Sequence, residues 1–493
     1  MFKRLSFHYP NLNFINVAHR TSYNENYKET NFQILAKACG FSGAEIYGLF
    51  KKHSSFYKIE PAVLAESIKF CHKLGFSKQD LIQHSNLLIS HPVTKINHYN
   101  SLLDSGCTHI DAHLLCRALK YFKSSIQIFK LSGYLNSDAN VADSLLSHVK
   151  PPIEKPKSLC VSLKVLDAKL WTDIHREILV AWLKIRLQAT DDEIAKLLRI
   201  HQMIKNKSFR SINENITLAE DIGLSRDKIL KCGYLLNNYP EYPKIMMQQH
   251  PFFAGLDIVK SYKSNPKMMM VNPRKILEIY NILKEYNVTD EQIQCKPDVF
   301  TMSSVTLRER LNYIPEVPEF RLLLTHPRML KLVVHHHKIK NRLDFIRSAK
   351  IRCASFKTIG NLADERFEHF IREGKDYNHP KDVLVFFSQL LKKPCEDLKP
   401  KLFSHPYHAY VPLLDIESTY FLLTDMGYLV ENLARCPQIL LYPRDKVQKK
   451  LKNVLNDVRL RSSSQYTQIK LALYYIEKEF HFTGDGIWRT DVV

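Results

Sequence analysis

The stretch Leu433-Ala434-Arg435-Cys436-Pro437-Gln438-Ile439-Leu440 contains the turn of a pattern that recurs along this chain of 493 residues. With the proline as position zero, apolar residues stand at positions −4 and +3 and again at +10, +14 and +17. Proline lacks a backbone N–H and disfavours helix in the residue before it, so it ends one helix and forces a turn. The last three apolar positions follow the i, i+4, i+7 spacing of an amphipathic helix. The pattern therefore predicts a helix, a proline turn and a second helix.

The same pattern occurs five times in one register. Position zero is proline in each of these copies, at Pro266, Pro297, Pro327, Pro406 and Pro437. The spacings 266→297, 297→327 and 406→437 are 31, 30 and 31 residues. Neither helix of a copy can bury its apolar stripe alone, whereas stacked neighbours bury a continuous core. We therefore predict an all-α fold, a superhelical solenoid of stacked repeats of about 31 residues.

Fainter copies lie upstream, where serine or glycine replaces the proline. In the copies at Ser85 and Gly233, a glycine stands ten residues before position zero, as it does before Pro437. The stretch 107–215 is helical in pattern but out of register, and residues 347–405 have room for one or two divergent copies. The prediction of individual repeats is therefore firmest in the second half of the chain.

The chain divides into five predicted segments. Residues 1–24 contain no acidic residue and interleave cations with hydroxyl and apolar residues, which is typical of a mitochondrial transit peptide. A disordered basic tail is the alternative. The predicted segments are a transit peptide at 1–24, divergent helical repeats at 25–148, a linker rich in proline and lysine at 149–158, the core repeat array at 159–460, and a C-terminal helix and tail at 461–493.

The chain carries 71 Lys and Arg residues against 50 Asp and Glu residues, a formal net charge of +21. An excess of this size favours a polyanionic partner, either a nucleic acid or an anionic membrane surface. The longest apolar runs, such as residues 178–183, are too short to span a bilayer, so we expect no membrane insertion. The ten cysteines show no C-x-x-C spacing, which indicates reduced thiols in a reducing compartment.

Basic residues recur at equivalent repeat positions. Residues 328–357 are the most basic stretch, with nine Lys and Arg against one acid, Asp344. The copy at Pro327 has a two-residue insertion before its second helix, so its later positions are counted after that insertion. Position +11 is then Arg308 or Lys340, and position +13 is Arg310, Arg342 or Lys450. These positions flank the apolar stripe, so successive repeats would present cations along one edge that can follow a phosphate backbone. An ordinary solvated helix face is the alternative. The predicted nucleic-acid-binding residues are Arg274, Lys275, Arg308, Arg310, Lys338, Lys340, Arg342, Arg347, Lys446, Lys449, Lys450 and Lys452.

The segments Thr325-His326-Pro327-Arg328-Met329-Leu330 and Arg435-Cys436-Pro437-Gln438-Ile439-Leu440, in repeats with a period near 30 residues, resemble the mitochondrial transcription termination factor (mTERF) family. The resemblance covers residues 220–460 well and 40–105 faintly. It implies a left-handed superhelical array of three-helix repeats whose concave basic path holds double-stranded nucleic acid. The chain departs from the family pattern at 107–215 and in the non-basic copy at Pro406.

The resemblance also implies a function in mitochondrial transcription. We expect a monomer of the mitochondrial matrix and nucleoid that binds double-stranded mitochondrial DNA and terminates or modulates transcription. Other mitochondrial transcription proteins are expected partners. Binding of ribosomal RNA during mitoribosome assembly and a helical-repeat scaffold that binds only proteins are the alternatives.

No motif in the sequence indicates an enzyme. The H-E-x-x-H, G-x-S-x-G and P-loop motifs are absent, so we expect no catalytic activity. The run His335-His336-His337, with Asp344, suggests a metal site, but no further Cys or carboxylate stands at a recognised ligand spacing. We therefore predict neither a metal site nor a cofactor.

Overall fold

The structure is a computed structural model of the chain, and it describes residues 21–361, 363–373 and 376–480. These residues form 32 α-helices, eight 3-10 helices and one two-stranded β-hairpin, which confirms the predicted all-α class. Residues 1–20 of the predicted transit peptide and 481–493 of the predicted tail lie outside the described residues. The described helices fall into two compact units, one ending at Lys244 and the other beginning at Ile245.

The first unit is built from the first half of the helices. Its α-helices, α1 to α16, are Thr21–Cys39, Gly43–Lys52, Pro61–Lys73, Lys78–Gln83, Asn86–Ile89, Pro92–Asp104, Ala112–Cys116, Ala118–Phe122, Ile126–Leu131, Val141–Ser147, Leu163–Ala168, Trp171–Arg186, Asp191–Ile200, Phe209–Asp221, Arg226–Lys231 and Glu241–Gln249, the last of which spans the boundary. Its 3-10 helices, η1 to η4, are Ser54–Tyr57, Lys157–Leu159, Gln202–Asn206 and Gly233–Asn237.

The second unit contains the remaining helices and the hairpin. Its α-helices, α17 to α32, are Ile258–Ser264, Pro273–Glu285, Asp290–Cys295, Ser304–Tyr313, Pro318–Arg321, Leu330–Val334, His336–Ser348, Phe356–Ile359, Asp364–Glu373, Pro380–Leu391, Cys395–Phe403, Leu413–Asp425, Val430–Arg435, Arg444–Asn456, Val458–Arg461 and Gln465–Phe480. Its 3-10 helices, η5 to η8, are Pro266–Met270, Pro297–Thr301, Ile314–Glu316 and Pro437–Leu441. The antiparallel strands β1 and β2 are Phe252–Phe253 and Leu256–Asp257. Throughout the described part of the chain, no helix combines the length and apolar character needed to cross a membrane.

In the repeats at Pro266, Pro297 and Pro437, a short α-helix is followed by a 3-10 helix at the turn and then by a longer α-helix. In the repeat at Pro437 these elements are α29, η8 and α30, and the proline is the first residue of η8. Its fixed φ and missing N–H suit that position, because the first N–H groups of a helix have no partner within the helix. The predicted turn is therefore itself helical, and Leu440 within it is fully buried.

The predicted apolar stripe forms the core of each repeat. In the repeat at Pro437 the fully buried residues are Leu433, Leu440, Val447, Leu451 and Val454. In the repeat at Pro297 Ile293, Phe300, Leu307 and Ile314 are fully buried, and Leu311 is 4% exposed. Two predicted stripe residues, Tyr280 and Tyr420, are only half-buried. Since burial of one large apolar side chain contributes about 1.5–3 kcal/mol, this stripe dominates the stability of a repeat.

The repeat array extends into the region that the sequence pattern placed out of register. The elements α13, η3 and α14 form a repeat with Gln202 at position zero, 31 residues before Gly233. Its apolar stripe is present, since Ile212 and Ile216 are fully buried. Neither proline nor glycine stands at its turn, which is why the sequence did not reveal it. The irregular region therefore ends before this repeat.

A residue with positive φ follows the longer helix of most repeats. The glycine ten residues before position zero has this geometry, with φ of +86° at Gly427. The N–H of Tyr428 then donates to the carbonyl oxygen of Leu423 over 3.0 Å, which satisfies a carbonyl at the end of α28. Glycine adopts positive φ without a Cβ clash. Other repeats reach the same conformation without glycine, at Gln188, Asn287, Lys350 and Lys392.

Residues 125–170 form an inserted segment between α8 and α12. The backbone of Ser125 pairs with that of Leu170 in an antiparallel bridge, and the N–H of Ile126 donates to the carbonyl oxygen of Lys169 over 3.1 Å. The two ends of the segment are therefore adjacent. The predicted linker at 149–158 lies inside this segment and within the first unit, so it does not separate the two units.

Candidate nucleic-acid interface

The side chain at position +13 of a repeat can form hydrogen bonds with the next repeat. The guanidinium of Arg310 donates to the carbonyl oxygens of Val333 and Val334, over 2.8 and 3.1 Å. Arg342 is 5% exposed and donates to Oδ1 of Asp364 over 2.9 Å. Burial also lowers the pKa of Arg310. Hydrogen bonds within the protein thus engage both guanidinium groups, which does not favour the predicted role of these two arginines at a phosphate-facing edge.

Other repeats use position +13 in the same way. Side chains at this position donate to a backbone carbonyl 23 residues later, in the pairs Ser67 to Ser90, Asn215 to Asn238 and Thr419 to Tyr442. The accepting carbonyls lie where the short turn helix of the next repeat ends, and carbonyls at the end of a helix have no partner within it. Position +13 is therefore an inter-repeat contact in these repeats, although Ile279 and Met246 at the same position of the repeats at Pro266 and Gly233 have no donor.

Most of the other predicted cations form ion pairs or lie at the surface. Ion pairs join Arg308 to Glu285 at 2.5 Å, Arg347 to Glu319 at 2.5 Å, Lys338 to Asp364 at 2.8 Å, and Lys450 to Glu479. Exposed pairs of this kind contribute about 0–1 kcal/mol to stability. The Nζ of Lys340 lies 5.5 Å from the ring centroid of Tyr313. Arg274, Lys449 and Lys452 are exposed, and Lys275 and Lys446 are half-buried.

A basic cleft of about 500 Å³ lies beside the turn at Pro327 in the second unit. Five cations line it: Arg328, Lys331, Lys357, Arg366 and Lys381. Arg328 lies in the turn itself, and the other four lie one each in α22, α24, α25 and α26. Glu291 and Asp382 are the acids among the described residues that line the cleft.

Two buried residues, His326 and Asp382, hold the backbone of the cleft wall in place. The ring of His326 stacks on that of Phe356 with 4.5 Å between centroids, and its Nδ1 accepts the N–H of Arg328 over 3.0 Å. Its Nε2 lies 3.5 Å from Oδ1 of Asp382. The other carboxylate oxygen of Asp382 accepts the N–H of Lys357 over 3.1 Å. The backbone that carries Arg328 and Lys357 is thus fixed by two buried residues of the cleft wall.

The cations of the cleft repel one another. Burial, and then the charges of Arg328 and Lys296, lower the pKa of Lys331. Burial, followed by the charge of Lys357, also lowers the pKa of His379 at the cleft wall. Like charges held together in a concave, partly desolvated site are stabilised by a bound anion. The cleft is therefore suited to a polyanion.

The sequence prediction missed all five cleft cations. Arg328, Lys331 and Lys357 belong to the most basic stretch of the chain, 328–357, but they lie outside positions +11 and +13. The concentration of Lys and Arg in that stretch was the sequence signal that could have indicated these three residues. Arg366 and Lys381 come from later elements, and only the packing of α24, α25 and α26 brings them to the same cleft.

In the run His335-His336-His337, the ring of His336 packs against an aromatic residue of the protein. His336 packs edge-on against Tyr313 with 4.8 Å between ring centroids, and burial lowers its pKa to about 4. Within the part of the chain that the structure describes, no group of three or more His, Cys, Asp or Glu residues is arranged to hold a metal ion.

Comparison with known proteins identifies an extended similarity. The chain is 26% identical over 471 residues to mitochondrial transcription termination factor 5 of Drosophila melanogaster, across 93% of this chain and 83% of that protein. No protein-family model and no solved structure matches the chain. The chain is thus similar over nearly its whole length to a mitochondrial transcription termination factor, and its five proline turns in one register and its all-α architecture accord with the resemblance to the mTERF family.

Proposed function

We propose that this chain is a mitochondrial protein of the mTERF family that binds double-stranded nucleic acid and acts in mitochondrial transcription. The observation that carries the proposal is the cleft in which Arg328, Lys331, Lys357, Arg366 and Lys381 converge. The net charge of +21 and the similarity to a mitochondrial transcription termination factor support it. No catalytic step is part of the proposal.

The chemistry of the cleft favours contact with the backbone of a duplex. Proteins that bind single strands stack bases on exposed aromatic side chains. Phe356, an aromatic residue of the cleft wall, is instead buried under His326. Lys and Arg contacts to phosphate position a protein on a duplex and carry most of its affinity, without reading sequence directly. We propose mitochondrial DNA as the natural duplex, and duplex RNA is the comparison that tests this choice.

The experiment compares two full-length triple variants with equal changes of charge. The cleft variant is Arg328→Glu, Lys331→Glu and Lys357→Glu. The control variant is Lys393→Glu, Lys399→Glu and Lys478→Glu, which are exposed lysines outside the cleft. Fluorescence anisotropy with duplex DNA and duplex RNA of the same sequence, over a series of salt concentrations, gives the affinity and its salt dependence.

The cleft variant should bind duplex DNA much more weakly than the control. Removal of each cation that neutralises a phosphate should reduce the slope of log affinity against log salt by about 0.9 on duplex DNA. Both variants should melt like the parent, because the substituted side chains lie at the surface or at the cleft wall. If the cleft variant binds duplex DNA as tightly as the control at every salt concentration, the cleft is not the binding site. Tighter binding of RNA than DNA would overturn the choice of DNA.

A further inference from the structure

His379 stands at the wall of the basic cleft, immediately before α26. Its half-buried side chain lines the same cavity as the five cations. The side chain forms no capping hydrogen bond with α26, and no hydrogen bond joins its ring to another residue in the part of the chain that the structure describes. The described residues therefore leave the ring nitrogens of His379 to a ligand in the cleft.

The other histidine that lines the cleft, His326, is engaged on both sides of its ring. Its Nδ1 accepts the N–H of Arg328, and its Nε2 faces Asp382 at 3.5 Å. The ring is 8% exposed and stacks on Phe356. His326 therefore holds the wall in place, whereas His379 is the cleft histidine whose ring can gain a new partner.

Charged groups from three elements surround His379. Arg328 lies in the turn at Pro327, Lys357 in α24, and Lys381 and Asp382 in α26. Burial and then the charge of Lys357 lower the pKa of His379, and Lys381 and Arg328 act in the same direction, while Asp382 opposes them. The carboxylate of Asp382 is already engaged by His326 and by the N–H of Lys357. The empty cleft therefore favours the neutral form of His379.

A phosphate in the cleft would change this balance. A negative charge close to the ring, and a hydrogen bond accepted from it, both favour the imidazolium form. Binding of a polyanion and uptake of a proton are then coupled, so that each strengthens the other. The lysines and arginines of the cleft keep their charge at neutral pH, whereas histidine is the side chain that ordinarily titrates there.

We propose that His379 is a proton-linked phosphate ligand of the basic cleft, an inference that rests on the function proposed above. When the backbone of a duplex enters the cleft, His379 takes up a proton and donates a charge-assisted hydrogen bond to a phosphate oxygen. The occupied cleft thereby gains a further cation beside the five lysines and arginines. Because the contact is to the phosphodiester, the effect is independent of base sequence.

The test uses the full-length chain and three single variants. His379→Gln cannot take up the proton, and His379→Lys carries the positive charge throughout the range. His72→Gln is the matched control, at an exposed histidine of the first unit. Fluorescence anisotropy with duplex DNA, from about pH 8 to about pH 5 and at several salt concentrations, gives the affinity and its salt dependence. Melting curves at each pH ensure that folded proteins are compared, and the His379 variants should melt like the parent because no capping hydrogen bond is lost.

The parent and His72→Gln should bind duplex DNA more tightly as the pH falls. Their gain in affinity should exceed that of His379→Gln by about tenfold, which corresponds to a rise of about one unit in the pKa of His379 on binding. At about pH 8, the slope of log affinity against log salt should be larger for His379→Lys than for the parent by about 0.9, because one more cation neutralises a phosphate.

Equal pH dependence of the parent and His379→Gln would overturn the proposal, and so would an unchanged salt dependence of His379→Lys. The triple cleft variant, measured in parallel, separates this outcome from failure of the proposed function. If the triple variant loses duplex binding while His379→Gln keeps the pH dependence of the parent, the cleft is the binding site and His379 is not a ligand. If the triple variant binds as tightly as its control, both proposals fail.

Discussion

The guanidinium of Arg310 donates a hydrogen bond of 2.8 Å to the carbonyl oxygen of Val333, which lies 23 residues later in the next repeat. In the same way, the hydroxyl of Thr419 donates to the carbonyl oxygen of Tyr442, also 23 residues later, over 3.1 Å. The same repeat position thus satisfies a backbone carbonyl of its neighbour in both cases. A buried carbonyl left without a donor costs about 1–3 kcal/mol, so this position contributes to the cohesion of the array.

Replacing Arg310 by Met should therefore lower stability and leave nucleic-acid affinity intact. The reduction should be about 1–3 kcal/mol in urea unfolding, because two backbone carbonyls are left without their donor. Arg308→Met is the matched control, and it should cost less than about 1 kcal/mol, since it removes only an exposed ion pair with Glu285. Weaker duplex binding by Arg310→Met with an unaltered unfolding curve would instead return Arg310 to the binding surface.

Alanine should have opposite effects at two glycines. Gly427 has φ of +86°, so Gly427→Ala should destabilise the protein by about 1–2 kcal/mol through backbone strain alone, as no atom lies within 4 Å of the added Cβ. Gly48 lies inside α2, also with nothing within 4 Å, and Gly48→Ala should stabilise by about 0.5–1 kcal/mol. Thermal melting of the two variants against the parent decides the signs. A shift in the same direction for both would show that Gly427 does not require positive φ in solution.

Acid should destabilise the fold through its buried histidines. Burial lowers the pKa of His98, His175 and His405 from 6.5 to about 4. Between these values the unfolded chain binds protons that the folded chain does not, so stability is full above pH 6.5 and falls as the pH drops towards 4. His98→Leu should reduce this loss by about 2–3 kcal/mol, whereas the same change at the exposed His369 should not. Urea unfolding over this pH range measures the difference, and parallel curves for His98→Leu and the parent would contradict the assignment.

Import should depend on the N-terminal residues. Helix α1 begins at Thr21, so a fluorescent fusion without residues 1–20 keeps the described helices intact. We expect this truncated fusion to remain outside mitochondria, because the acid-free basic segment is typical of a transit peptide. A fusion of residues 1–24 to the fluorescent protein alone should be imported. Mitochondrial localisation of the truncated fusion would refute this assignment.

Local chemistry along the sequence was sufficient to predict the repeat. Proline ends a helix wherever it occurs in this pattern, and the i, i+4, i+7 stripe specifies an amphipathic helix without reference to the rest of the chain. The stripe around Pro297 and Pro437 is accordingly buried as predicted. The repeat at Gln202 was missed because its turn lacks proline and Gln188 adopts φ of +45° where other repeats have glycine. A helix end can reach positive φ with several residue types once packing supports it, so the absence of glycine in the sequence is a weak signal.

The functional surface, by contrast, was decided by tertiary structure. The helical periodicity places position +13 beside the apolar stripe, but it does not say that the next repeat covers that position and buries Arg342. The cleft brings together Arg328 and Lys381, which are 53 residues apart and belong to different elements. Which cations meet depends on how successive helices stack and where the insertions fall. A repeat pattern determines what each helix must bury, whereas only the packed array determines which of its charges remain accessible to a partner.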